Sequence, residues 1–434
     1  MMDRVKVVGA GLAGCEAAWQ LAKRGVDVDL YEMKPEKMSP AHHSPLFAEL
    51  VCSNSLRADR IQNAVGLLKE EMRRLDSLIM EAADHCRVPA GGALAVDRTG
   101  FSEHITARIR SSEHIRVIPG EVDHIPDGIA IICAGPLASD GLCRAISGFE
   151  GVSTLNFYDA AAPIVTKASI DMSKVFRASR YDRGDGDDYL NCPMDRETYF
   201  AFVDALIHAE TAPVHGFEEN MVFEGCMPVE SMAKRGPMTL RFGPMKAAGL
   251  KHHAENLFAN VQLRQDDAGD EMYNIVGFQT RLKFPEQKRV FGMIPGLENA
   301  EFVRYGVMHR NTFLHSPGFL DRHFQVIRRP GLFFAGQITG VEGYVESAAS
   351  GLYAGISAAC MALGRTIPEF TRKTAIGALG CYVSAENRNF QPMNITFSLM
   401  EPLDRPVRDK AARNGMISER SLALLENLQM EELI

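Results

Sequence analysis

Near the start of the chain, the apolar positions follow the order of a strand, a helix and a second strand. Residues 4–8 are rich in valine and predict a buried strand. A glycine-rich segment at residues 9–14 opens a helix that continues to Arg24. Residues 26–31 predict the second strand, which ends at Glu32. This order predicts a parallel sheet covered by helices.

Later segments extend the same pattern. The apolar runs at residues 128–135 and 332–336 each end in small residues and predict two more buried strands. Residues 64–87 alternate apolar and charged positions at helical spacing. Residues 33–60, in contrast, are irregular and rich in Ser, Pro and His. So long an irregular stretch is more typical of a functional loop than of a spacer.

The glycine-rich turn between the first strand and the first helix has the spacing G-x-G-x-x-G. Gly9 allows a tight turn, Gly11 lets a pyrophosphate approach the backbone, and Gly14 permits close packing of the helix. The free N–H groups at the start of the helix favour phosphate. Glu32 ends the second strand, where a carboxylate can accept both ribose hydroxyls and disfavours a 2′-phosphate. We therefore expect a dinucleotide to contact Gly9, Ala10, Gly11, Leu12, Ala13, Gly14 and Glu32.

A second nucleotide-binding signature lies late in the chain, at residues 331–340. A predicted strand ends there in Ala-Gly, and the polar Gln337 follows Gly336. Flavoproteins that bind two dinucleotides place such a segment near the flavin ribityl chain or pyrophosphate. The small residues at 347–355 then offer a helix N-terminus to the flavin ring. An enzyme that binds only a nicotinamide cofactor does not need this element, so we predict FAD, with Gly336 and Gln337 among its contacts.

A polar, glycine-containing break at residues 181–188 marks a change in organisation. After it, a helix is expected at residues 196–209, followed by short strands to about residue 274. The 434 residues allow more than one domain. We predict an α/β fold, in which a Rossmann-like FAD-binding domain is interrupted by a smaller α+β insertion domain. The predicted boundaries are residues 1–178, 179–274 for the insertion, and 275–434, which ends in a helical tail.

The composition argues against several classes of protein and of binding site. The nine cysteines are odd in number and none forms a C-x-x-C pair, which argues against a disulfide scaffold, a zinc site and a redox dithiol. We expect no metal site. No apolar run is long enough to span a membrane, and the N-terminus shows neither the apolar region nor the cleavage site of a signal peptide. The sequence therefore predicts a cytoplasmic protein without a membrane partner.

Two cysteines lie in contexts that favour reactivity. Cys52 lies in the long polar loop, close in sequence to Arg57, and positive charge favours the reactive thiolate. Cys226 lies in a bent segment between Gly225 and Pro228, with acidic residues on either side. The other seven cysteines follow apolar or helical patterns and are interpreted as structural.

The net charge of −8 excludes nonspecific attraction to nucleic acid, so such a partner would have to meet a local basic face. Two stretches of the chain have an excess of basic residues that is suited to such a face. Residues 281–329 carry nine Lys or Arg against four acidic residues, and residues 365–413 carry eight against five. This asymmetry suits a phosphate backbone, whereas solvated faces with ion pairs are the alternative interpretation.

Taken together, these motifs resemble the TrmFO family of folate- and FAD-dependent tRNA uridine-5-methyltransferases, over nearly the whole chain. This family is related to GidA, and its FAD-binding domain is similar to that of glutathione reductase. The resemblance is carried by the glycine-rich turn and by CSNSL at 52–56, FEGCMP at 223–228, LRFGPMK at 240–246, YNIVGFQT at 273–280, RYGVMHRNT at 304–312 and FQPMN at 390–394.

The resemblance implies C5-methylation of a uridine in the tRNA T-loop. The carbon comes from 5,10-methylenetetrahydrofolate, and NADH or NADPH reduces FAD. Uracil C5 is a poor nucleophile until a group adds at C6, and Cys226 is the implied thiolate. Cys52 is implied to lie near the flavin, where it either manages the methylene adduct or shields the uracil. Arg281, His309 and Arg310 are the candidates for holding the folate ring and its carboxylate tail.

Three alternatives remain open at this point. The same chemistry could act on a ribosomal RNA uridine, since the motifs do not distinguish the two RNAs. A flavin-dependent NAD(P)H oxidoreductase would need neither folate nor RNA. An RNA-binding protein with a structural flavin would bind RNA without forming a methyl product. The motifs leave the oligomeric state open, with a monomer as the starting assumption.

Overall fold

The computed structural model describes residues 3–149, 154–184, 186–212, 227–250, 256–387 and 389–430, with the backbone alone at residues 154–160, 182, 308–310 and 430. Its strands, numbered along the chain, are β1 (Val5–Val8), β2 (Val28–Glu32), β3 (Ser55–Ala58), β4 (Arg87–Val88), β5 (Ala93–Val96), β6 (Ile115–Pro119), β7 (Ala130–Ile132), β8 (Thr154–Ala160), β9 (Ile164–Thr166), β10 (Phe176–Arg177), β11 (Tyr189–Met194), β12 (Ala259–Gln265), β13 (Met272–Ile275), β14 (Phe302–Arg304), β15 (Met308–Leu314) and β16 (Leu332–Phe334). Its helices are α1 (Leu12–Lys23), α2 (Ala64–Arg74), α3 (Leu78–His85), α4 (Arg98–Ser111), α5 (Asp140–Ser147), α6 (Arg196–Ile207), α7 (Val229–Lys234), α8 (Thr239–Phe242), α9 (Phe284–Phe291), α10 (Tyr344–Ala362), α11 (Ala375–Ser384) and α12 (Lys410–Met430).

Five parallel strands form the first sheet, in the order β16-β7-β1-β2-β6. Val7 of the central strand pairs with Leu30 of β2 on one side and with Ile131 of β7 on the other. All three side chains are fully buried, as expected for a parallel sheet whose two faces are covered. The predicted α/β class with a parallel sheet is confirmed.

Helices α1 and α10 cross at close range. A Cβ atom on Gly351 of α10 would lie 2.2 Å from the carbonyl oxygen of Ala13 in α1. One turn later, a Cβ atom on Gly355 would lie 2.8 Å from the carbonyl oxygen of Ala17. Only glycine permits this approach, because any larger side chain would collide with backbone. The contact brings together the starts of two helices that lie far apart in sequence.

The second large sheet is antiparallel, in the order β10-β11-β12-β13-β9-β14. The aromatic rings of Phe202, Phe278 and Phe291 pack together beside it, with centroids 6.1 and 5.6 Å apart. Strands β9 and β14 belong to this sheet although they lie outside residues 179–274. The sheet therefore starts before the predicted insertion and ends after it, and the domain boundaries themselves stay a prediction. Two smaller sheets, β15-β8 and β3-β5-β4, complete the strands.

The segment 64–87 is two helices rather than one continuous helix. Between α2 and α3, Asp76 has a φ of 54° and Ser77 caps α3 by accepting from the N–H of Met80. The buried carboxylate of Glu16 in α1 accepts from the hydroxyl of Ser77 at 2.6 Å and from the N–H of Ile79 at 3.0 Å. The hydroxyl of Ser77 and the carboxylate of Glu16 accept from N–H groups at the start of α3, which favours a new helix over the continuation of α2.

A buried carboxylate also ties the C-terminal helices to the first domain. Glu71 of α2 accepts from the backbone N–H groups of Ala375 and Ile376, at the start of α11, at 2.6 and 2.8 Å. It also accepts from the hydroxyl of Ser421 in α12 at 2.5 Å. Burial raises the pKa of Glu71 to about 7. One side chain thus joins three helices.

Candidate functional site

The glycine-rich turn has the geometry that its spacing predicts. Gly9 has a φ of 97°, which L-residues rarely adopt, and its N–H donates to the carbonyl of Tyr31 at 2.8 Å. A Cβ atom on Gly14 would lie 1.7 Å from the carbonyl oxygen of Gly9. A Cβ atom on Gly11, in contrast, would meet no heavy atom within 4 Å. Gly9 and Gly14 are therefore required by the fold itself, whereas Gly11 faces open space.

Glu32 is held in place by the backbone of this turn. Its Oε2 accepts from the N–H of Ala10 at 2.7 Å, and its Oε1 accepts from the N–H of Lys34 at 2.9 Å. The carboxylate lines the cleft beside the turn. Because a carboxylate oxygen has more than one lone pair, each can also accept from a hydroxyl group in the cleft.

The second nucleotide signature lies on the other side of the same cleft. Gly336, directly after β16, has a φ of 87°, and its N–H donates to the hydroxyl of Ser350 at 2.7 Å. Gln337 donates from its side chain to Glu342 at 2.7 Å. Gly336 and Gln337 line the cleft together with Gly9 and Glu32, and the cleft spans about 1110 Å³, counted with its opening to solvent. The structure therefore brings the two predicted segments together.

The residues of the cleft fit FAD. Helices α1 and α10 begin after Gly11 and Gly343, and neither helix start has a side-chain cap. Their first N–H groups are thus available to an anion such as a pyrophosphate. Ala13 and Ser347 also line the cleft, so small residues border it where both helices begin.

The loop that carries Cys52 is anchored at this cleft. The backbone N–H groups of Cys52 and Ser53 donate to the phenol oxygen of Tyr344, at 2.7 and 3.3 Å. Tyr344 is the first residue of α10 and lines the cleft. Burial raises the pKa of Tyr344, which keeps it a neutral phenol. The start of α10 therefore positions the Cys52 loop directly beside the nucleotide cleft.

Three arginines interact electrostatically with Cys52: Arg98, Arg264 and Arg304. Arg264, buried in β12, donates to Asn54 Oδ1 at 2.9 Å and to Ser53 Oγ at 2.7 Å. Neither partner is a carboxylate, so its charge is not neutralised by a direct partner in the loop. Such positive charge stabilises a thiolate relative to a thiol.

Arg57, the cation expected from the sequence, has a direct carboxylate partner. It pairs with both carboxylate oxygens of Glu346 in α10. Its predicted effect on Cys52 stays a prediction. Glu346 also accepts from the N–H of Ile395 at 2.9 Å, so Arg57 serves to join β3, α10 and the segment near residue 395.

Cys226 lies outside the described residues, and its predicted role stays a prediction. The remaining cysteines are disfavoured as thiolates because burial raises the pKa of each thiol. They are Cys15, Cys86, Cys133, Cys143, Cys192, Cys360 and Cys381.

The candidates for holding folate lie in two places. Arg281 is close to buried Glu230: their Nε and Oε1 atoms are 3.9 Å apart, and the backbone N–H of Arg281 donates to the same oxygen at 2.9 Å. Arg281 does not line the nucleotide cleft. His309 and Arg310 belong to β15, where their backbones pair with Asp159 and Tyr158 of β8. The side chains of both lie outside the described part of the structure.

The two basic stretches differ in their ion pairing. Five cations of residues 281–329 form ion pairs with carboxylates, namely Arg281, Lys283, Arg289, Arg322 and Arg329. Within residues 365–413, six exposed cations form no ion pair with any residue that the structure describes, namely Arg365, Arg372, Arg405, Arg408, Lys410 and Arg413. Four of the six lie close together in sequence, and we refer to residues 405–413 as the C-terminal cationic segment. The charge of these four cations is available to an outside partner.

Two other classes of site have no counterpart within the described ranges. No group of three or more His, Cys, Asp or Glu side chains is arranged to hold a metal ion among these residues. None of the described helices combines the length and apolarity of a membrane-spanning segment.

Comparison with known proteins identifies the family. The family model for glucose inhibited division protein A matches residues 4–366. The methylenetetrahydrofolate--tRNA-(uracil-5-)-methyltransferase TrmFO of Acetivibrio thermocellus is 59% identical, covering 98% of each chain. The enzyme of the same name from Lactobacillus delbrueckii subsp. bulgaricus is 58% identical over 100% of both. The chain belongs to the glucose inhibited division protein A family.

The resemblance to TrmFO is thereby confirmed over nearly the full length. A solved structure of GidA from Aquifex aeolicus superposes with a TM-score of 0.71, at 17% identity, and covers 98% of this chain and 73% of that chain. At this identity the likeness is one of fold, and it agrees with the predicted relation to GidA.

Several residues around the Cys52 loop and the nucleotide cleft were not predicted from the sequence. Tyr344, Arg98 and Arg264 surround the Cys52 loop but were not selected from the sequence. Tyr344 had a usable signal, since it opens the small-residue helix beside the second nucleotide segment. Arg264 had none, because it is one of several polar residues that alternate with apolar ones in β12, and its partners are brought close only when the chain has folded.

Proposed function

We propose that this protein transfers the methylene carbon of 5,10-methylenetetrahydrofolate to C5 of a uridine in tRNA and reduces it to a methyl group. The near full-length identity to TrmFO enzymes carries the proposal. The cleft supports it, because it joins two nucleotide segments to a cysteine loop. NADH or NADPH supplies the reducing equivalents, and the reaction takes place in the cytoplasm.

The cofactor is FAD, held at the turn 9–14, at Glu32 and at Gly336 and Gln337. When bound, it supplies the two electrons that turn the transferred methylene carbon into methyl. The residues of the chain bind and orient: the starts of α1 and α10 hold phosphate, Glu32 accepts ribose hydroxyls, and Tyr344 fixes the Cys52 loop beside the cleft.

The two cysteines divide the chemistry on the pyrimidine. Cys226 adds to uracil C6 as a thiolate, which makes C5 nucleophilic. C5 then bonds to the methylene carbon and loses its proton, and the bond between that carbon and its carrier nitrogen breaks. Addition of a hydride to the methylene carbon gives the methyl group and expels the thiolate. Cys52 interacts electrostatically with three arginines. It either assists the transfer of the methylene group near the flavin or shields the uracil. Arg281, His309 and Arg310 remain our candidates for binding folate.

The RNA is a tRNA, and we place the target uridine in its T-loop. The C-terminal cationic segment is suited to the phosphate backbone, because its four cations are exposed and form no ion pair with described residues. A ribosomal RNA target and an RNA-independent oxidoreductase are not favoured, since the relatives cited above are named as tRNA methyltransferases.

The proposed function is tested by following the labelled methylene carbon into RNA. Purified protein is incubated with tRNA or ribosomal RNA transcripts, NADH or NADPH, and methylenetetrahydrofolate labelled at the methylene carbon. We expect label in tRNA as 5-methyluridine from wild type, with strong loss in Cys226→Ala and in Cys52→Ala. Cys381→Ala is the matched control, since burial raises the pKa of that thiol and it does not line the cleft. Label in ribosomal RNA alone changes the substrate, and turnover of NAD(P)H without label contradicts the proposal.

A further inference from the structure

A second groove adjoins the nucleotide cleft and has no role in the function described so far. We call it the side groove, and it spans about 1280 Å³, counted with its opening to solvent. Glu49 lines both the cleft and the side groove, so the two adjoin at this residue. Arg98, Phe284, Arg304 and Tyr305 form part of its wall. Two of these, Arg98 and Arg304, are arginines that interact with Cys52.

Aromatic rings stack at the wall of the side groove. The ring of Tyr305 is nearly parallel to that of Phe302, at 7° and 5.1 Å between centroids. It also stacks on Phe284, at 19° and 4.4 Å. Phe284, at the start of α9, remains 50% exposed, so part of its ring is open to a ligand. An exposed ring supported by stacked rings is a rigid platform for another planar group.

The carboxylates of the side groove all accept hydrogen bonds from other groups of the protein. Asp266 accepts from the Arg98 guanidinium at 2.9 and 3.0 Å. Glu49 accepts from the backbone N–H groups of His43 and Ser44 at 3.0 to 3.2 Å. Asp267 accepts from the N–H groups of Glu271 and Met272 at the turn that follows it. Asp266 is thus paired with Arg98, whereas the hydrogen bonds to Glu49 and Asp267 come from neutral N–H groups, and neither carboxylate pairs directly with Arg304.

Arg304 is the cation of the side groove that has no direct carboxylate partner within the described ranges. It forms no ion pair with any residue in the described ranges, and its buried Nε has no hydrogen-bond partner there. Its single hydrogen bond within those ranges is a long one, 3.5 Å from Nη2 to the carbonyl of Ala41. Burial lowers the pKa of Arg304, and the electrostatic attraction of Glu49, which forms no ion pair with it, opposes that shift only in part. An incoming anion would supply the missing partner.

We propose that the side groove binds the nucleotide next to the methylated uridine, with its base stacked on Phe284 and its phosphate paired with Arg304. The proposal rests on the proposed function. A uracil must leave its base stack to reach the cleft, which also unstacks its neighbour in the RNA chain. Single-stranded bases are held by aromatic faces and their phosphates by arginine. Because the groove adjoins the cleft at Glu49, it offers that neighbour a place to lie.

The first test changes the ring at position 284. Phe284→Leu keeps an apolar side chain but removes the aromatic face, and Phe284→Tyr, the matched control, keeps the face. One base–aromatic stack is worth about 1–3 kcal/mol, so we expect Phe284→Leu to raise the Kd and KM for RNA about tenfold. Phe284→Tyr should stay within about twofold of wild type, and the KM for methylenetetrahydrofolate should not change. RNA binding is measured by fluorescence anisotropy, independently of turnover.

The second test removes the charge at position 304. For a single strand, each phosphate contact contributes about 0.7 to the slope of log Kd against log salt. We expect Arg304→Gln to make the slope shallower by about this amount, and Arg304→Lys to restore most of it. A fluorescent base gives an independent measurement. We expect the fluorescence of 2-aminopurine placed beside the target uridine to be quenched by stacking in wild type and not in Phe284→Leu.

The outcomes separate the two proposals. If wild type binds and methylates RNA but Phe284→Leu and Arg304→Gln leave its RNA affinity and salt slope unchanged, the side groove does not hold a nucleotide. A rise in the KM for methylenetetrahydrofolate without a change in RNA affinity also overturns the assignment, because it gives the groove to the folate tail. If wild type transfers no label to RNA, the proposed function fails, whether or not the groove binds RNA.

Discussion

Replacing Gly11 by alanine should separate the folding of the nucleotide cleft from the binding of its ligand. Gly11 precedes α1 with φ and ψ of −76° and −170°, a conformation that any residue can adopt. An alanine Cβ there meets no heavy atom within 4 Å. We therefore expect the protein without FAD to keep its stability within about 0.5 kcal/mol or to gain up to about 1 kcal/mol, because alanine restricts the unfolded chain.

FAD binding should respond differently. The methyl group would stand where the first N–H groups of α1 face the cleft, and it would hold a phosphate away from them. A hydrogen bond to a charged group contributes about 1.5–3 kcal/mol. Loss of one such bond weakens FAD binding roughly 10- to 150-fold.

The assay strips FAD from the protein, follows thermal unfolding, and then titrates FAD by quenching of its fluorescence. Gly14→Ala is the matched control, since its Cβ would lie 1.7 Å from the carbonyl oxygen of Gly9 and must distort the turn. It should lower the unfolding temperature even without FAD. Wild-type FAD affinity in Gly11→Ala would refute the placement of the pyrophosphate at α1.

Three further changes test the packing and the charges around the cleft. Gly351→Ala places a Cβ 2.2 Å from the carbonyl oxygen of Ala13 and should cost about 1–3 kcal/mol of unfolding free energy, whereas Gly415→Ala, which meets nothing within 4 Å, should cost none; thermal unfolding compares them. Burial raises the pKa of Glu71 to about 7 from its ordinary 4.5, so the folded protein binds that proton more tightly than the unfolded chain. Stability should therefore fall by roughly 3 kcal/mol as the pH rises from 4.5 to 7, and urea unfolding of Glu71→Gln should lack this slope. Arg264→Gln should slow alkylation of Cys52 by iodoacetamide several-fold at pH 7.5 while Arg264→Lys slows it less, and equal rates in all three proteins would contradict a role for this charge.

Local sequence patterns predicted four of the five strands of the first sheet, because strands covered on both faces are rich in apolar residues. The edge strand β6, which is only partly buried, was not predicted. The turn at residues 9–14 was equally accessible, since its glycines are required by contacts within the turn itself. The break between α2 and α3 was missed because the helical spacing continues across it. The carboxylate of Glu16, which stabilises the start of α3, belongs to a different helix.

The surroundings of Cys52 illustrate the limit of such reasoning. Arg57 is close in sequence, but its guanidinium is taken by Glu346 of α10. The arginines that do interact with Cys52 come from α4, β12 and β14. Their proximity depends on how two sheets meet, and no spacing within one segment encodes that.

The loop that carries Cys52 connects the two halves of the molecule. The side-chain amide of Asn54 donates to the carbonyl of Val96 beside the small sheet and to the carbonyl of Gln265 in β12, both at 2.9 Å. Its oxygen accepts from Arg264, so one buried side chain makes three hydrogen bonds to residues far away in sequence. On its other side, the loop is fixed to the nucleotide cleft by Tyr344. Because the same strand, β12, also leads to Asp266 and Arg98 in the side groove, the position of Cys52 relative to the cleft and the position of the groove are set by one network. The antiparallel sheet therefore does more than flank the nucleotide domain: it supplies the charge beside the cysteine and one wall of the groove that opens next to it.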